Sequence, residues 1–265
     1  MNVTGFVVES IVPVRIVPKH KAEMVTQVLF GDLLRLVQKQ GEWYKIRAFD
    51  DNYEGWVADT MIEPISDSFL SPHDQFKFVA DFTAPVNVKR GGQDSQITLV
   101  KGARFPVIPF RENDHELYLK LGKTEFRVEE RFLIDPLPAT TDAMALTAKA
   151  YLNAPYLWGG KTPFGLDCSG YMQMLFRQHG VNLPRDSYQQ VQEGTRVSFD
   201  ERRAGDVAFF TEGSNRISHV GFLLERDIII HGSGRVRIDQ LTDKGILNSE
   251  TDKLTHYFAQ LRRVL

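Results

Sequence analysis

The stretch Ala154-Pro-Tyr-Leu-Trp-Gly-Gly-Lys-Thr-Pro-Phe-Gly-Leu-Asp-Cys-Ser-Gly170 places the only cysteine of the chain, Cys168, where a loop becomes a helix. Apolar residues follow Cys168 at helical spacing, and Gly180 then provides a left-handed stop. This pattern predicts that Cys168 lies in the first helical turn, where unpaired N–H groups and the helix dipole favour the nucleophilic thiolate. The alternative is a small buried cysteine with a packing role only.

Two histidines downstream favour the nucleophile. His219 lies in an alternating apolar run at Ile217–Leu224, and His231 ends a second apolar run at Asp227–Gly232, so two neighbouring strands could each present an imidazole. A cysteine at a helix start, a histidine on a strand and a third polar group form a papain-type arrangement. Zinc held by the same three side chains is the chemical alternative. The chain has no Cys-x-x-Cys or His-Glu-x-x-His spacing, so we expect thiol catalysis without a metal or other cofactor.

Several short motifs in the second half of the chain occur in a specific order. They are Pro155–Gly160, Asp167–Gly170, Leu183–Arg185, Gly205–Val207, His219–Gly221 and Ile230–His231. This set resembles the NlpC-type cell-wall cysteine peptidases over about half of the chain, from Thr141 onward. The resemblance implies that Cys168 is the nucleophile, His219 the base and His231 the orienting residue. It also implies that Tyr156 and the backbone N–H of Cys168 bind the oxyanion.

The first half of the chain reads as short strands separated by turns, which is typical of small β-barrels. Gly41–Arg47 and Tyr53–Asp59 resemble segments of bacterial SH3-like domains, and a degenerate second copy follows from Ala84. We expect Trp43 and Trp56 to be core residues rather than ligand platforms. The predicted domains are SH3-like barrels at 1–66 and 74–137 and a catalytic domain at 141–265. The predicted fold class is α+β, with helices preceding an antiparallel sheet in a papain-like catalytic domain.

An SH3-like domain before the catalytic domain resembles the γ-D-glutamyl-L-diamino-acid endopeptidase branch of the family. The resemblance implies a murein peptide substrate, L-Ala-γ-D-Glu-diamino acid, cleaved after the γ-carbonyl and recognised through its free L-Ala amine. The positions that it implies for substrate binding are Asp167, Ser169, Trp158, Tyr53, Glu23 and Arg185. Meso-diaminopimelate and L-Lys both remain open as the diamino acid. A general cell-wall hydrolase, a thiol amidase or acyltransferase, and a wall-binding protein with a vestigial catalytic half are the alternatives.

The composition of the chain argues against nucleic acid or a membrane as its binding partner. The 265 residues carry 32 basic and 34 acidic side chains, a net charge of −2 that offers no attraction for nucleic acid. No segment approaches the ~20 apolar residues that span a bilayer, and the start lacks the basic region of a signal peptide. We therefore expect a cytoplasmic monomer, or an exported one if a signal has been removed. The remaining histidines, His20, His73, His115 and His256, are expected to have no catalytic role.

Overall fold

The computed structural model describes residues 3–66, 69–70, 75–107, 115–213 and 216–265. The chain divides into two compact units, Met1–Pro136 and Leu137–Leu265. Within those described ranges, no helix is both long enough and apolar enough to cross a membrane.

The N-terminal unit begins with one seven-stranded antiparallel sheet. Its strands are β1 (Val3–Val7), β2 (Ile11–Arg15), β3 (Met24–Leu29), β4 (Leu33–Gln40), β5 (Trp43–Ala48), β6 (Glu54–Ala58) and β7 (Ile62–Ile65), in the order β3-β2-β6-β5-β4-β1-β7. Alternate side chains of these strands are buried and meet in one apolar core that includes Val12, Val14, Ile46 and Val57. A turn of 3₁₀ helix at Asp59–Met61 joins β6 to β7.

The same element order recurs in the rest of this unit. The strands are β8 (Phe76–Val79), β9 (Thr83–Arg90), β10 (Gln93–Val100), β11 (Arg104–Pro106), β12 (Glu116–Leu121), β13 (Thr124–Glu129) and β14 (Leu133–Ile134), with a 3₁₀ turn at Glu130–Phe132 before β14. The pairings β9–β10, β9–β13, β12–β13, β8–β14 and β8–β11 repeat β2–β3, β2–β6, β5–β6, β1–β7 and β1–β4. The predicted start of the second barrel, residue 74, lies outside the described residues.

The two repeats pack together through aromatic rings and a buried cation. Phe30 contacts the rings of both Phe105 and Phe126, at centroid distances of 5.8 and 5.2 Å. The Arg104 guanidinium is buried, donates to the Gly31 carbonyl and pairs with Asp50 at 3.2 Å. Both repeats lie within the compact unit Met1–Pro136, and their division into two barrel domains stays a prediction.

Trp43 and Trp56 are not core residues of the first sheet, contrary to the prediction. Both are half-buried, and the core is formed by smaller side chains such as Val57. The β5–β6 register pairs Trp43 with Ala58 and Lys45 with Trp56, so both indoles lie on the face opposite Ile46.

In the residues that the structure describes, the C-terminal unit contains three helices, α1 (Thr141–Lys149), α2 (Cys168–Arg177) and α3 (Ser187–Gln190). Its strands are β15 (Lys161–Thr162), β16 (Gly165–Leu166), β17 (Thr195–Val197), β18 (Val207–Thr211), β19 (Ile217–Glu225), β20 (Ile228–Ser233), β21 (Arg235–Thr242), β22 (Gly245–Asn248) and β23 (Lys253–Arg263). The first helix is capped by the Thr140 hydroxyl, which accepts from the Ala143 N–H.

Strands β18 to β23 form a closed six-stranded ring. They pair in sequence order from β18 to β22, and β23 pairs with both β18 and β22. The strand β22 was not predicted, and it completes the ring between β21 and β23. Short helices and a closed barrel therefore make this unit richer in sheet than the α+β prediction implies. Helix α2 packs against β19 and β20, where Phe176 meets Phe222 edge to face.

Candidate active site

The nucleophile candidate occupies the position that the sequence predicts. Cys168 is the first residue of α2, and the Asp167 side chain caps the helix by accepting from the Gly170 N–H at 2.7 Å. Gly170 is required because a Cβ there would lie 2.3 Å from the Gly160 carbonyl oxygen. The glycines of the motif thus allow the loop before Cys168 to lie directly against the helix start.

The surroundings of Cys168 favour a neutral thiol, contrary to the thiolate expected from the helix dipole. Cys168 is 7% exposed, and its sulfur lies 3.9 Å from the Ser218 carbonyl oxygen. Burial and the nearby Asp167 carboxylate raise the pKa of the thiol to about 12, and the opposing effects of Arg185 and the backbone N–H groups of Ser169 and Val220 are smaller. Loss of hydration therefore outweighs the helix terminus in the free protein.

Asp167 is held by a buried ion pair. Its carboxylate receives Nη1 of Arg185 at 3.1 Å and also Nη2, in a fork–fork contact between side chains that are 5% and 2% exposed. It also accepts from the Gly159 N–H at 2.9 Å, and Arg185 donates to the Ser169 hydroxyl at 2.7 Å. These contacts engage both oxygens of Asp167 and fix the backbone on both sides of Cys168. A role of Asp167, Ser169 or Arg185 in substrate binding stays a prediction.

The two predicted histidines are in contact. His219 on β19 and His231 on β20 are 4% and 1% exposed, and Nε2 of His219 lies 2.8 Å from Nδ1 of His231. Burial lowers the pKa of His219 well below 6.5, and both His231 and His256 lower it further. Burial also lowers the pKa of His231, against the opposing effect of Asp239. Both imidazoles are therefore neutral at pH 7, and His219 is available to accept a proton.

A carboxylate that sequence reasoning missed completes this chain of contacts. Nε2 of His231 lies 3.0 Å from Oδ2 of Asp239, which is on β21 and 2% exposed. Pairing of Ile229 with Asp239 and of His231 with Arg237 puts His231 and Asp239 on the same face of the hairpin. The available signal was an acidic residue in the segment that follows the His231 run, and only the strand register places it beside His231.

His256 also belongs to the cluster, although it was assigned no role. Its ring stacks on His219 with centroids 3.9 Å apart and planes 21° apart. Its Nε2 lies 3.3 Å from a carboxylate oxygen of the exposed Glu212. Burial lowers the pKa of His256 to about 4, helped by His231 and opposed by Asp239, so this ring is neutral as well. The His219–His256 contact follows from the pairing of β18 with both β19 and β23, which places the two histidine-bearing strands on either side of β18.

The four polar side chains face the interior of the barrel. His219 pairs with Phe210, Asp239 with Ile229 and His256 with Ile246, and each of these apolar partners belongs to the barrel core. Paired residues in an antiparallel ladder project from the same face. The imidazoles and the carboxylate are therefore held on a frame of paired strands and are shielded from bulk water.

The other predicted residues of this unit lie near Cys168 or in the loop before it. Tyr156 is 38% exposed. Partial burial is the main cause that raises the pKa of its phenol, and the nearby Cys168 and Asp167 raise it further, so its O–H remains a donor at neutral pH. Trp158 is 62% exposed in the same loop, whereas Ser169 is 6% exposed. Gly232 lies beside the nucleophile, because a Cβ on it would be 3.5 Å from the Cys168 backbone.

The two predicted binding residues of the first half belong to the N-terminal unit. Tyr53 is half-buried in the turn before β6, where its N–H donates to the Asp51 carboxylate at 2.9 Å. Glu23 is exposed just before β3. Their role in substrate binding stays a prediction. In the part of the chain that the structure describes, no group of three or more His, Cys, Asp or Glu is arranged to hold a metal ion.

Comparisons with known proteins identify both halves of the chain. Residues 153–254 match the NlpC/P60 family model, and residues 14–62 match the model of the bacterial dipeptidyl-peptidase Sh3 domain. The chain is 29% identical over 215 residues to a gamma-D-glutamyl-L-lysine dipeptidyl-peptidase from Bacillus subtilis strain 168, covering 78% of this chain and 71% of that protein.

One further relative supports the family assignment, and one solved structure has the same fold. The chain is 34% identical over 120 residues to the probable endopeptidase NlpC of Escherichia coli K12, covering 44% of this chain and 73% of that protein. Its fold matches the crystal structure of an NlpC/P60 family protein from Bacillus cereus ATCC 10987 with a TM-score of 0.83, at 20% identity and 99% coverage of both chains. With a buried cysteine at a helix start, 3.9 Å from the carbonyl of the residue before one of two coupled histidines, the chain belongs to the NlpC/P60 family and is a cysteine peptidase.

Proposed function

We propose that this peptidase hydrolyses the bond between the γ-carbonyl of D-glutamate and a diamino acid in murein peptides that begin with a free L-alanine. The observation that carries the chemistry is the Cys168 sulfur at the start of α2, 3.9 Å from the carbonyl of the residue before His219. The substrate class is supported by the name of the Bacillus subtilis relative and by the match of residues 14–62 to a dipeptidyl-peptidase domain.

In the proposed reaction, His219 takes the thiol proton as the Cys168 sulfur attacks the γ-carbonyl carbon. The oxyanion accepts from the backbone N–H of Cys168 and the Tyr156 hydroxyl, which keeps its proton because the pKa of the phenol is raised. His219 then gives the proton to the departing amine, leaving a thioester. Water attacks the thioester while His219 accepts its proton, and the thiol is restored as the glutamyl product leaves.

General-base transfer during attack fits the electrostatics better than a resting thiolate–imidazolium pair. Burial raises the pKa of Cys168 to about 12 and lowers the pKa of His219 well below 6.5, so both groups rest in their neutral forms. Charge then develops only when the substrate carbonyl is in place. This order limits reaction of the thiol with other electrophiles.

We further propose that the catalytic unit is papain-like in its order, with the nucleophile helix preceding the strand that carries the base. The repeated strand pairings support a second SH3-like barrel at β8–β14. Recognition of the free amine is assigned to Tyr53 and Glu23, with Trp158 as a contact for the peptide. Such a monomeric enzyme would act on released peptides in the cytoplasm.

The test is to incubate the protein with L-Ala-γ-D-Glu-L-Lys, its meso-diaminopimelate counterpart and the N-acetylated form of each, and to identify products by mass spectrometry. We expect L-Ala-γ-D-Glu and the free diamino acid as products, and we expect N-acetylation to lower kcat/KM, because the acetylated amine carries no charge for the Glu23 carboxylate to contact. Cys168→Ala should abolish cleavage. Equal rates on free and acetylated peptides would indicate a general wall hydrolase, and hydrolysis only of glutamine or lipid amides would indicate an amidase.

A further inference from the structure

Asp239 is the carboxylate of the interior cluster formed with His219, His231 and His256, and both of its oxygens accept hydrogen bonds. Oδ2 accepts from Nε2 of His231 at 3.0 Å and from Nε of Arg237 at 2.7 Å. Oδ1 accepts from Nη2 of Arg237 at 3.0 Å and from the Ser249 N–H at 2.8 Å. Four donors thus converge on a side chain that is 2% exposed.

These donors keep Asp239 ionised. Burial alone would raise the pKa of the carboxyl, but hydrogen bonds from His231, Arg237 and the Ser249 N–H outweigh burial and lower it. An ionised carboxylate can only accept hydrogen bonds, so the His231 nitrogen that faces it carries a proton. Because His231 is neutral, its other nitrogen, Nδ1, is an acceptor.

The proton on the next ring follows from this assignment. Nδ1 of His231 lies 2.8 Å from Nε2 of His219, so Nε2 of His219 must be the donor. In a neutral imidazole only one nitrogen carries a proton, which leaves Nδ1 of His219 with a free lone pair. A general base needs such a lone pair to take the proton of Cys168.

We propose that Asp239 is a positioning residue that fixes the tautomers of His231 and His219 and so leaves Nδ1 of His219 as the proton acceptor for Cys168. The same carboxylate compensates the positive charge that His219 acquires during the reaction, across the neutral ring of His231. The proposed peptidase activity enters only through the kinetic tests, because the tautomers are properties of the resting protein.

The charged and titratable groups around Asp239 come from three strands and one turn. His231 lies on β20, Arg237 on the same strand as Asp239, and His256 on β23, whereas Glu250 pairs with Arg237 at 3.2 Å from the turn after β22. Arg237 thus joins Asp239 to an exposed carboxylate without competing for His231.

Asn at position 239 would have two unfavourable orientations. With its amide NH₂ toward His231, Nε2 of His231 becomes an acceptor and the protons on both rings reverse, which blocks the base. With its carbonyl toward His231, the NH₂ meets the N–H donors of Arg237 and Ser249. The structure therefore predicts loss of the tautomer, loss of stability, or both, and the test must separate these.

The first measurement is the tautomeric state of the histidines at pH 7, from ¹⁵N–¹H correlations across the imidazole rings of labelled protein. In the unmodified chain, His219 and His231 should both carry the proton on Nε2, and Asp239→Asn should move it to Nδ1. Asp206→Asn is the matched control, because Asp206 is 1% exposed and paired with Arg263, outside the cluster. A proton on Nδ1 of either His219 or His231 in the unmodified protein would overturn the proposal, even if Asp239→Asn did not fold.

The second measurement is a double-mutant cycle on peptide cleavage. Asp239→Asn should lower kcat by about 10²–10⁴-fold with little change in KM, the upper limit being the loss seen when such a carboxylate contacts the base directly. In a His231→Gln background, the same change should cost no more than about 3-fold, since Asp239 would act through His231. Additive losses, or full kcat in folded Asp239→Asn, would overturn the proposal. Absence of cleavage by the unmodified protein would instead refute the proposed function and leave the tautomer result intact.

Discussion

Replacing Asp167 by Asn tests whether the residue before the nucleophile is structural. The change removes the charge from a fork–fork pair with Arg185 in which both side chains are at most 5% exposed. Breaking a buried ion pair on one side costs about 3–5 kcal/mol, because the remaining charge has no partner. Asn is itself a good helix cap, so most of the capping contribution at Gly170 should survive.

This loss corresponds to a large fall in thermal stability. For a unit of about 130 residues, each kcal/mol shifts the melting temperature by about 3–4 °C, so Asp167→Asn should lower it by about 10–18 °C. Scanning calorimetry measures this transition. The matched control is Asp227→Asn, which removes a carboxylate that is 47% exposed from its pair with Arg202 and should cost less than about 1 kcal/mol.

A second variant identifies the cause. Arg185→Met in the Asp167→Asn background removes both charges and should recover much of the lost stability, since an apolar replacement of a buried pair is often neutral. An unchanged melting temperature in Asp167→Asn, together with a smaller preference for free over N-acetylated peptide, would refute this reasoning. It would show that Asp167 binds the substrate amine, as the family resemblance implied.

Two further predictions concern the neutral resting state of the site. Because burial raises the pKa of Cys168 to about 12, its alkylation by iodoacetamide should accelerate with pH without a plateau up to about pH 9, whereas a plateau starting near pH 5 would reveal a thiolate–imidazolium pair. Burial lowers the pKa of His256 to about 4 in the folded protein, so below pH 6.5 the unfolded chain binds this proton more readily than the folded chain does. As the pH falls from 6.5 to 4, this group should therefore lower the free energy of unfolding by about 1.4 kcal/mol per pH unit. His256→Leu should flatten that slope in calorimetric titrations, and an unchanged slope would exclude His256 as its source.

The nucleophile and its two histidines could be predicted because each depends on local sequence. Cys168 follows a glycine-rich loop and opens an amphipathic helix, and His219 and His231 lie in alternating apolar runs. The family resemblance then assigned Cys168 as the nucleophile, His219 as the base and His231 as the orienting residue. Local patterns of this kind indicate which elements exist and which residues they present.

Asp239 and His256 were missed because their roles depend on contacts that are distant in sequence. Asp239 reaches His231 only through the β20–β21 register, and His256 reaches His219 only because β18 pairs with both β19 and β23. The short strand β22, with two residues buried, has too little periodicity to be recognised beforehand. The neutral state of Cys168 was missed for a related reason, since burial is a property of the assembled unit and the helix dipole is local.

The base and the nucleophile are held in position by different parts of the catalytic unit. The imidazoles are anchored to neighbouring strands whose ladders leave little freedom for the rings, and Phe210 packs against both His219 and His256. Cys168 instead belongs to a helix outside the ladder, and its position depends on the Asp167–Arg185 pair and the close approach of Gly160 and Gly170. The position of the sulfur relative to its base therefore depends on both the paired strands and the contacts that hold the start of α2. For this reason, loss of Asp239 should change proton transfer in a folded site, whereas loss of Asp167 should loosen the site itself.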